Sequence, residues 1–344
     1  MTSNNIWDAQ PTILLYTMTN ALGDYLIMGD VMRKAKRLLP KSHCLMVHRG
    51  NSNIKQWPDG PSTEIFYNVY SPAEMISLTG FLTKKRKEGY IVFGLQMSPG
   101  SLQGFALHRW LKLLGALDYI VDFNLINADL ITFSKDSYIL DRQLNQLRDL
   151  FCIDMPSNFY HLNLPIHPRT QKNILNKVQG KRYIGIHPWN RKGTDSFLWP
   201  LNKWVEVIKH LLQNDDNEII IFGKDPEFES LIKLLEGIFP NNLLRMHFLP
   251  ASSVENLIDI VEDLDMVLTV NSSVAHIAYA LHKKMVILTG PSLDLWNPQA
   301  KDIRLVTDTQ AIFKGVDKST QDQYMPQVAR IEVVQVIQAL KSLS

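Results

Sequence analysis

Along most of the chain, short apolar runs alternate with stretches whose apolar residues recur at helical spacing, the pattern of βαβ units built around a parallel sheet. In the first half this predicts strands at Thr12–Thr17, His43–His48, Glu64–Tyr67, Tyr90–Leu95 and Tyr119–Phe123. Helices are predicted between several of them, at Leu22–Leu38, Pro72–Lys87 and Leu102–Leu114. The second half repeats the rhythm, with strands at Tyr183–His187, Glu218–Phe222, Leu244–Phe248, Met266–Val270 and Met285–Leu288. Its helices are predicted at Asn202–Leu212, Glu227–Ile238, Ser253–Leu264 and Val274–His282. The stretch Met155–Gly180, with Pro156, Pro165 and Pro168, shows neither period until a short helical pattern near Gln171–Val178, and reads as the hinge between two doubly wound halves. The halves run from 1 to 165 and from 170 to 325. A last helical pattern, Gln327–Leu343 within 326–344, could dock on either half.

Composition adds limits. The 344 residues are 45% hydrophobic and 20% charged, enough apolar material for two ordinary cores. Lysine plus arginine number 36 against 34 aspartate plus glutamate, so the net charge of +2 gives no global reason to expect nucleic acid. The two cysteines, Cys44 and Cys152, are too few for a disulfide framework or a zinc site and suit a reducing compartment. No basic-then-apolar leader opens the sequence and no apolar run approaches membrane-spanning length, so a cytoplasmic location is expected. Two basic runs, Arg33–Arg37 and Lys84–Lys87, read as solvated helix faces that could together meet an anionic surface.

In an open parallel sheet, ligands bind beyond the carboxyl ends of the strands, where helix N-termini present free amides and a positive dipole end. Three loops in such positions carry candidate chemistry. After the first strand, Gly23 permits close backbone approach and Asp24 enters the helix, either as a carboxylate complementing the helix dipole or as a catalytic group. After Tyr183–His187, a polar loop holds Arg191, Lys192, Gly193, Thr194 and Ser196, residues suited to an anionic ligand, though a solvated loop would look the same. After Met266–Val270 come Asn271, Ser272 and Ser273, all good N-cap types that could equally cradle a diphosphate, with His276 one turn further on. The pair Asp263 and Asp265 has metal-like spacing, but at a helix end it is expected to be exposed punctuation; no metal site is expected. Glycine-rich dinucleotide and phosphate-loop motifs are missing.

Taken together these segments resemble glycosyltransferase family 9, the ADP-heptose:lipopolysaccharide heptosyltransferases. Ile13-Leu14-Leu15 followed by Leu22-Gly23-Asp24 is similar to the family's opening strand and Leu-Gly-Asp loop. Ile186-His187-Pro188 through Trp199-Pro200-Leu201-Asn202-Lys203-Trp204 is similar to the segment that opens its second domain. The segment from Asp265 to Leu281, then Val286 to Pro291, is similar to its donor-binding stretch. The resemblance implies an α/β GT-B fold, two facing Rossmann-like domains with parallel sheets, the first binding acceptor and the second a nucleotide-diphosphate sugar. It implies an inverting, metal-independent transfer without a cofactor, with ADP-heptose the favoured donor and a glycan or lipopolysaccharide-core lipid the acceptor. Asp24 matches the family's general base, and the 271–276 loop its diphosphate cradle. A lipid-linked acceptor implies peripheral contact with the cytoplasmic face of the inner membrane.

The chain departs from the family pattern where Asn271 and Ser273 replace aspartate and glycine, and where Phe197 replaces a lysine whose charge Arg191 or Lys192 could supply. Two other functions stay open on the residues alone: a nucleotide-sugar 2-epimerase of the same architecture, and a sugar-nucleotide binder without catalysis.

Overall fold

The computed structural model describes residues 11–17, 22–47, 65–66, 71–96, 102–122, 130–131, 138–164, 174–189, 198–223, 227–290, 297–308 and 328–343. The chain divides into two compact units, Met1–Ile166 and His167–Ser344.

The first unit contains strands β1 (Thr12–Thr17), β2 (His43–Val47), β3 (Ile65–Phe66), β4 (Ile91–Gln96), β5 (Tyr119–Asp122) and β6 (Leu130–Ile131). Its helices are α1 (Leu22–Leu38), α2 (Pro72–Lys87), α3 (Leu102–Leu113) and α4 (Ile139–Phe151). All strand pairs are parallel, in the order β3-β2-β1-β4-β5-β6, with Ile13 opposite His43 on one side and Val92 on the other. Side chains alternate across a strand, so Ile13 and Leu15 join Leu78 and Leu82 of α2 and Leu107 and Leu111 of α3 in one core layer. Leu14 and Tyr16 point the opposite way and are equally buried, which is why β1 reads as an unbroken apolar run.

The second unit repeats the design. Strands β7 (Arg182–His187), β8 (Asn217–Gly223), β9 (Met246–Pro250), β10 (Met266–Val270), β11 (Lys284–Leu288) and β12 (Ile303–Val306) are all parallel, in the order β12-β11-β10-β7-β8-β9. The helices are α5 (Leu201–Leu211), α6 (Glu227–Ile238), α7 (Val254–Asp263), α8 (Ser273–Ala280) and α9 (Val333–Lys341). Counted from its own first strand, each unit thus has the doubly wound Rossmann order, with a switch point between β1 and β4 in one and between β7 and β10 in the other. At Gly185, in the middle of β7, the sheet approaches its covering layer closely: an added methyl would overlap Leu264 and lie 2.9 Å from Phe222 Cε1. Gly185→Ala is therefore expected to lower stability by about 1–3 kcal/mol through overpacking. A urea midpoint equal to that of the parent would contradict this.

Several elements differ from the expectations. Helix α4 and strand β12 join the predicted set, and β9 starts at Met246 because Pro240–Arg245 forms a 3-10 turn first. No helix occupies 174–178; a 3-10 turn lies earlier, at Ser157–Tyr160. The segments flanking the unit boundary are tied down separately. Asp30 accepts from the Asn163 amide (3.0 Å) and Arg33 donates to the Asn163 carbonyl (2.7 Å) in the first unit. In the second, Asp263 accepts from the Leu175 amide (3.2 Å), and Asp265 accepts from Lys177 (3.0 Å) and the Tyr183 amide (2.8 Å).

Asp263 is accordingly buried, not exposed punctuation, because it satisfies a backbone donor of the incoming chain. The basic run of α1 also departs from its expected solvated face. Lys34 is buried against Asp30 (2.5 Å) one turn earlier and donates to the His161 carbonyl (2.6 Å), while Lys36 donates to the carbonyls of Pro40 and Ser42. The C-terminal helix, whose docking the sequence leaves open, packs on α5, β11 and β12 of the second unit. Trp199 donates from Nε1 to the Ile331 carbonyl (2.9 Å) just before it, and Lys203 donates to the carbonyls of Ala329 and Ile331.

Candidate functional site

Gly23 and Asp24 lie at the switch point of the first unit, and Asn271, Ser272, Ser273 and His276 at that of the second. In the second, β7 ends at His187 and β10 runs through Thr269 to Asn271, with Thr269 facing His187 in the parallel register. Thr269 Oγ1 donates to the His187 carbonyl (3.1 Å) and lies 3.2 Å from Ser272 Oγ. Thr269 Oγ1 also lies 3.0 Å from the Val270 carbonyl, and either hydroxyl of the Thr269–Ser272 pair can be the donor. Ser272 is the N-cap residue of α8, yet no side chain caps this helix, because its hydroxyl is turned to Thr269. The Ala275 amide closes the first turn on the Ser272 carbonyl (3.1 Å), and the positive dipole end of α8 lies at the carboxyl edge of the sheet, the arrangement that binds a diphosphate. The Asn271 amide donates to the Leu288 carbonyl (3.0 Å), and Ser273 begins the helix.

Two histidines sit at this edge. His187 is buried at the end of β7, edge-on to Trp189 (5.8 Å between centroids) and beside Phe222 (5.4 Å). His276 is buried in α8. Burial holds both imidazoles down to about 4, so both are neutral near pH 7 and add hydrogen-bonding capacity to the site without charge. On the β11 side, Asn297 donates to Thr289 Oγ1 (2.9 Å), and both residues are fully buried.

The loop after β7 leaves the sheet at a fixed point. Trp189 is buried against Phe228 and over Gly223 at the end of β8, where a side chain would meet its ring at 2.9 Å. The loop returns at Trp199, buried edge-on against Trp204 (5.1 Å). Arg191, Lys192 and Phe197 lie between these anchors, outside the described residues.

At the other switch point, Gly23 and Asp24 occupy the first turn of α1 directly after the β1 loop, and both are buried, Asp24 at 7% exposure. A carboxylate at a helix N-terminus complements the helix dipole, and the same position suits a group that accepts a proton. His48, the other first-unit side chain able to act as a base after β2, lies outside the described residues. Among the described residues no group of three or more His, Cys, Asp or Glu side chains is arranged to hold a metal ion, and no helix is long and apolar enough to cross a membrane. Sequence reasoning passed over Thr269 and Thr289, whose positions at the carboxyl ends of β10 and β11 are the signal that would have found them, and Asn297, which joins them only through its bond to Thr289.

Comparisons with known proteins agree with this geometry. Residues 129–322 match the family described as glycosyltransferase family 9 (heptosyltransferase). A 150-residue stretch is 25% identical to lipopolysaccharide heptosyltransferase 2 of Salmonella typhimurium, spanning 42% of this chain and 42% of that protein. The fold is similar to that of a glycosyl transferase family 9 protein from Veillonella parvula, with a TM-score of 0.67 and 15% identity over 97% of each chain. It is also similar to an E. coli heptosyltransferase solved with ADP-2-deoxy-2-fluoro heptose, with a TM-score of 0.61 and 16% identity over 96% of this chain and 100% of that one. The fold class is therefore GT-B, two Rossmann-like domains with parallel sheets.

Proposed function

We infer that this chain, which belongs to glycosyltransferase family 9, is an inverting glycosyltransferase that moves heptose from ADP-heptose to a hydroxyl of a glycan or lipopolysaccharide-core acceptor. The observation that carries the reading is the pairing of a buried first-turn carboxylate at one switch point with a helix N-terminus lacking a side-chain cap at the other. In this reading Asp24 takes the proton of the acceptor hydroxyl as its oxygen bonds to the anomeric carbon. The bond from that carbon to the diphosphate breaks, and its electron pair leaves with ADP. The amides of α8, the hydroxyls of Ser272 and Ser273 and the side chain of Asn271 receive the diphosphate, with Gly23 allowing close approach on the acceptor side. Arg191 and Lys192 close the charge balance from the loop after β7, the part a metal ion plays in other transferases. His276, neutral and buried in α8, adds an uncharged hydrogen-bonding group to the donor side of this reading. The first unit takes the acceptor, the second the donor, and a lipid-linked acceptor brings the protein to the inner membrane surface.

The relatives support the donor assignment, one being a heptosyltransferase solved with an ADP-heptose analogue. A thermal-shift series with ADP, UDP, GDP and CDP tests it, because a ligand of the native state raises apparent stability in proportion to its saturation. ADP is expected to give the largest rise; a larger rise with another nucleotide would reassign the donor, and no rise with any would remove the site. Arg191→Ala and Lys192→Ala are each expected to weaken donor binding by about 1.5–3 kcal/mol, the value of a lost charged hydrogen bond. Calorimetric titration showing parental affinity in both variants would take this loop out of the site.

A further inference from the structure

Helix α3 is apolar on two faces. Leu107 and Leu111 face inward and are buried in the core, whereas Trp110, Leu113 and Leu114, on the outer face and its C-terminal end, are 39%, 85% and 48% exposed. An outward apolar stripe gains nothing from water, and its grouping at one helix end marks an interaction surface. The end of α2 lies against the same corner. The Arg86 guanidinium donates to the Gly115 carbonyl and to the Asp118 carboxylate, joining the last turn of α2 to the loop after α3. Lys84 and Lys87 of that turn are exposed, as is Arg109 of α3. Among the described residues of this corner, Asp118 is engaged by Arg86 and Glu88 by Lys85, and the exposed Lys84 and Lys87 add positive charge beside the apolar centre. In the other basic run Arg33, Lys34 and Lys36 are engaged by Asp30 and by backbone carbonyls, which leaves Arg37 as its exposed cation.

We propose that this corner of the first unit docks on an anionic phospholipid bilayer, with Trp110, Leu113 and Leu114 entering the headgroup boundary and Lys84 and Lys87 facing the phosphates. Leucine and tryptophan beside lysine and arginine are the residue types that hold proteins at such interfaces. A second copy fits the surface poorly, since a two-fold contact through it would bring the exposed lysines of one copy towards the like-charged patch of the other. The proposal rests on the membrane-linked acceptor of the proposed function and names the surface that makes the contact. Helices α2 and α3 end where β4 and β5 begin, so the corner lies at the opposite end of the sheet from Asp24. It is separated from the carboxyl edge by about one length of α3, roughly 18 Å, which leaves that edge uncovered for a sugar headgroup rising from the bilayer.

Flotation of the full chain with vesicles of phosphatidylcholine alone, and of phosphatidylcholine mixed with phosphatidylglycerol, tests this. The parent protein is expected to float with the mixed vesicles, less so as salt rises, and to stay behind with phosphatidylcholine alone. Leu113→Ser combined with Leu114→Ser is expected to lower the partition coefficient about tenfold or more. Lys84→Gln combined with Lys87→Gln is expected to lower it about 25-fold. Melting temperatures should match the parent, since all four side chains lie outside the core. Leu244→Ser, at a 93% exposed leucine of the second unit, should change nothing. The proposal is overturned if the parent ignores mixed vesicles, if both double variants float like the parent, if Leu244→Ser loses as much binding as they do, or if sedimentation shows the leucine pair holding a dimer together. An ADP thermal shift measured on the same samples separates the two readings. Vesicle binding lost with the ADP response intact sinks only this surface, and vesicle binding without an ADP response sinks only the donor assignment.

Discussion

Replacing Asp24 by asparagine is expected to cost about 10²–10⁴-fold in turnover while donor affinity and melting temperature stay close to those of the parent. The side chain sits in the first turn of α1, where a carboxylate also complements the helix dipole, so position alone does not separate a structural from a catalytic role. The substitution does separate them. Asparagine keeps the shape and much of the hydrogen-bonding capacity and loses only the charge and basicity. A purely structural carboxylate would show its loss as reduced stability, of order 0.3–1 kcal/mol for a dipole interaction, with kcat nearly unchanged. A base shows it in kcat, because the proton moves only as the acceptor oxygen attacks. Steady-state kinetics with saturating donor and acceptor, alongside a melting curve, read both quantities. Near-parental kcat would move the search for a base to the acceptor itself or to His48.

The second large effect is on stability in acid, and it should differ between the two units. Burial holds His187 and His276 of the second unit down to about 4, against about 6.5 in an unfolded chain. Their folded values lie below their unfolded ones, so the stability they contribute is complete above pH 6.5 and is lost as pH falls towards 4. Two such groups give a slope of about 2.7 kcal/mol per pH unit within that window. In the first unit His108 behaves similarly, its ring fully buried, with neither nitrogen partnered among the described residues, and held down to about 3. There, however, burial pushes Asp141 up to about 6, only partly opposed by Lys34. A carboxyl raised in this way contributes stability that is present below pH 3.8 and lost as pH rises through 6, which offsets His108 over the same range. Melting is therefore expected to split on acidification, with the second unit failing first and the first unit nearly unchanged between pH 6 and 4. Calorimetric scans from pH 7 to 4 check this. A single transition that keeps its midpoint across that range would contradict it.

How far these features were legible depends on the kind of signal. Long periodic segments bounded by ordinary cap or turn residues were read to within a residue or two, as for α2 after Ser71 and Pro72 and α7 after Ser253. Helix α4 escaped although its apolar residues keep helical spacing, because it starts after Tyr138 without a side-chain cap and stops at Cys152 in the left-handed region, where neither residue announces a boundary. Strand β12 is short, lies on a sheet edge and carries Arg304 in its middle, so its alternation is weak. Lys34 lies in a charge run of the kind that is usually solvated, and Asp30 one turn earlier is the clue in the sequence to its burial. At the candidate site, motif residues could be read from the chain, but the bond from Thr269 to His187 joins two strands far apart in sequence. Only the sheet order brings them together.

The most direct measurement of the central claim is product analysis with ADP-heptose as donor, with and without a lipopolysaccharide-core acceptor, in buffer containing a metal chelator. The account predicts ADP release matched one for one by a heptosylated acceptor of inverted anomeric configuration, undiminished by the chelator, with at most slow hydrolysis when acceptor is left out. Sugar isomerised on the nucleotide without acceptor, retention of configuration, or transfer abolished by the chelator would contradict it.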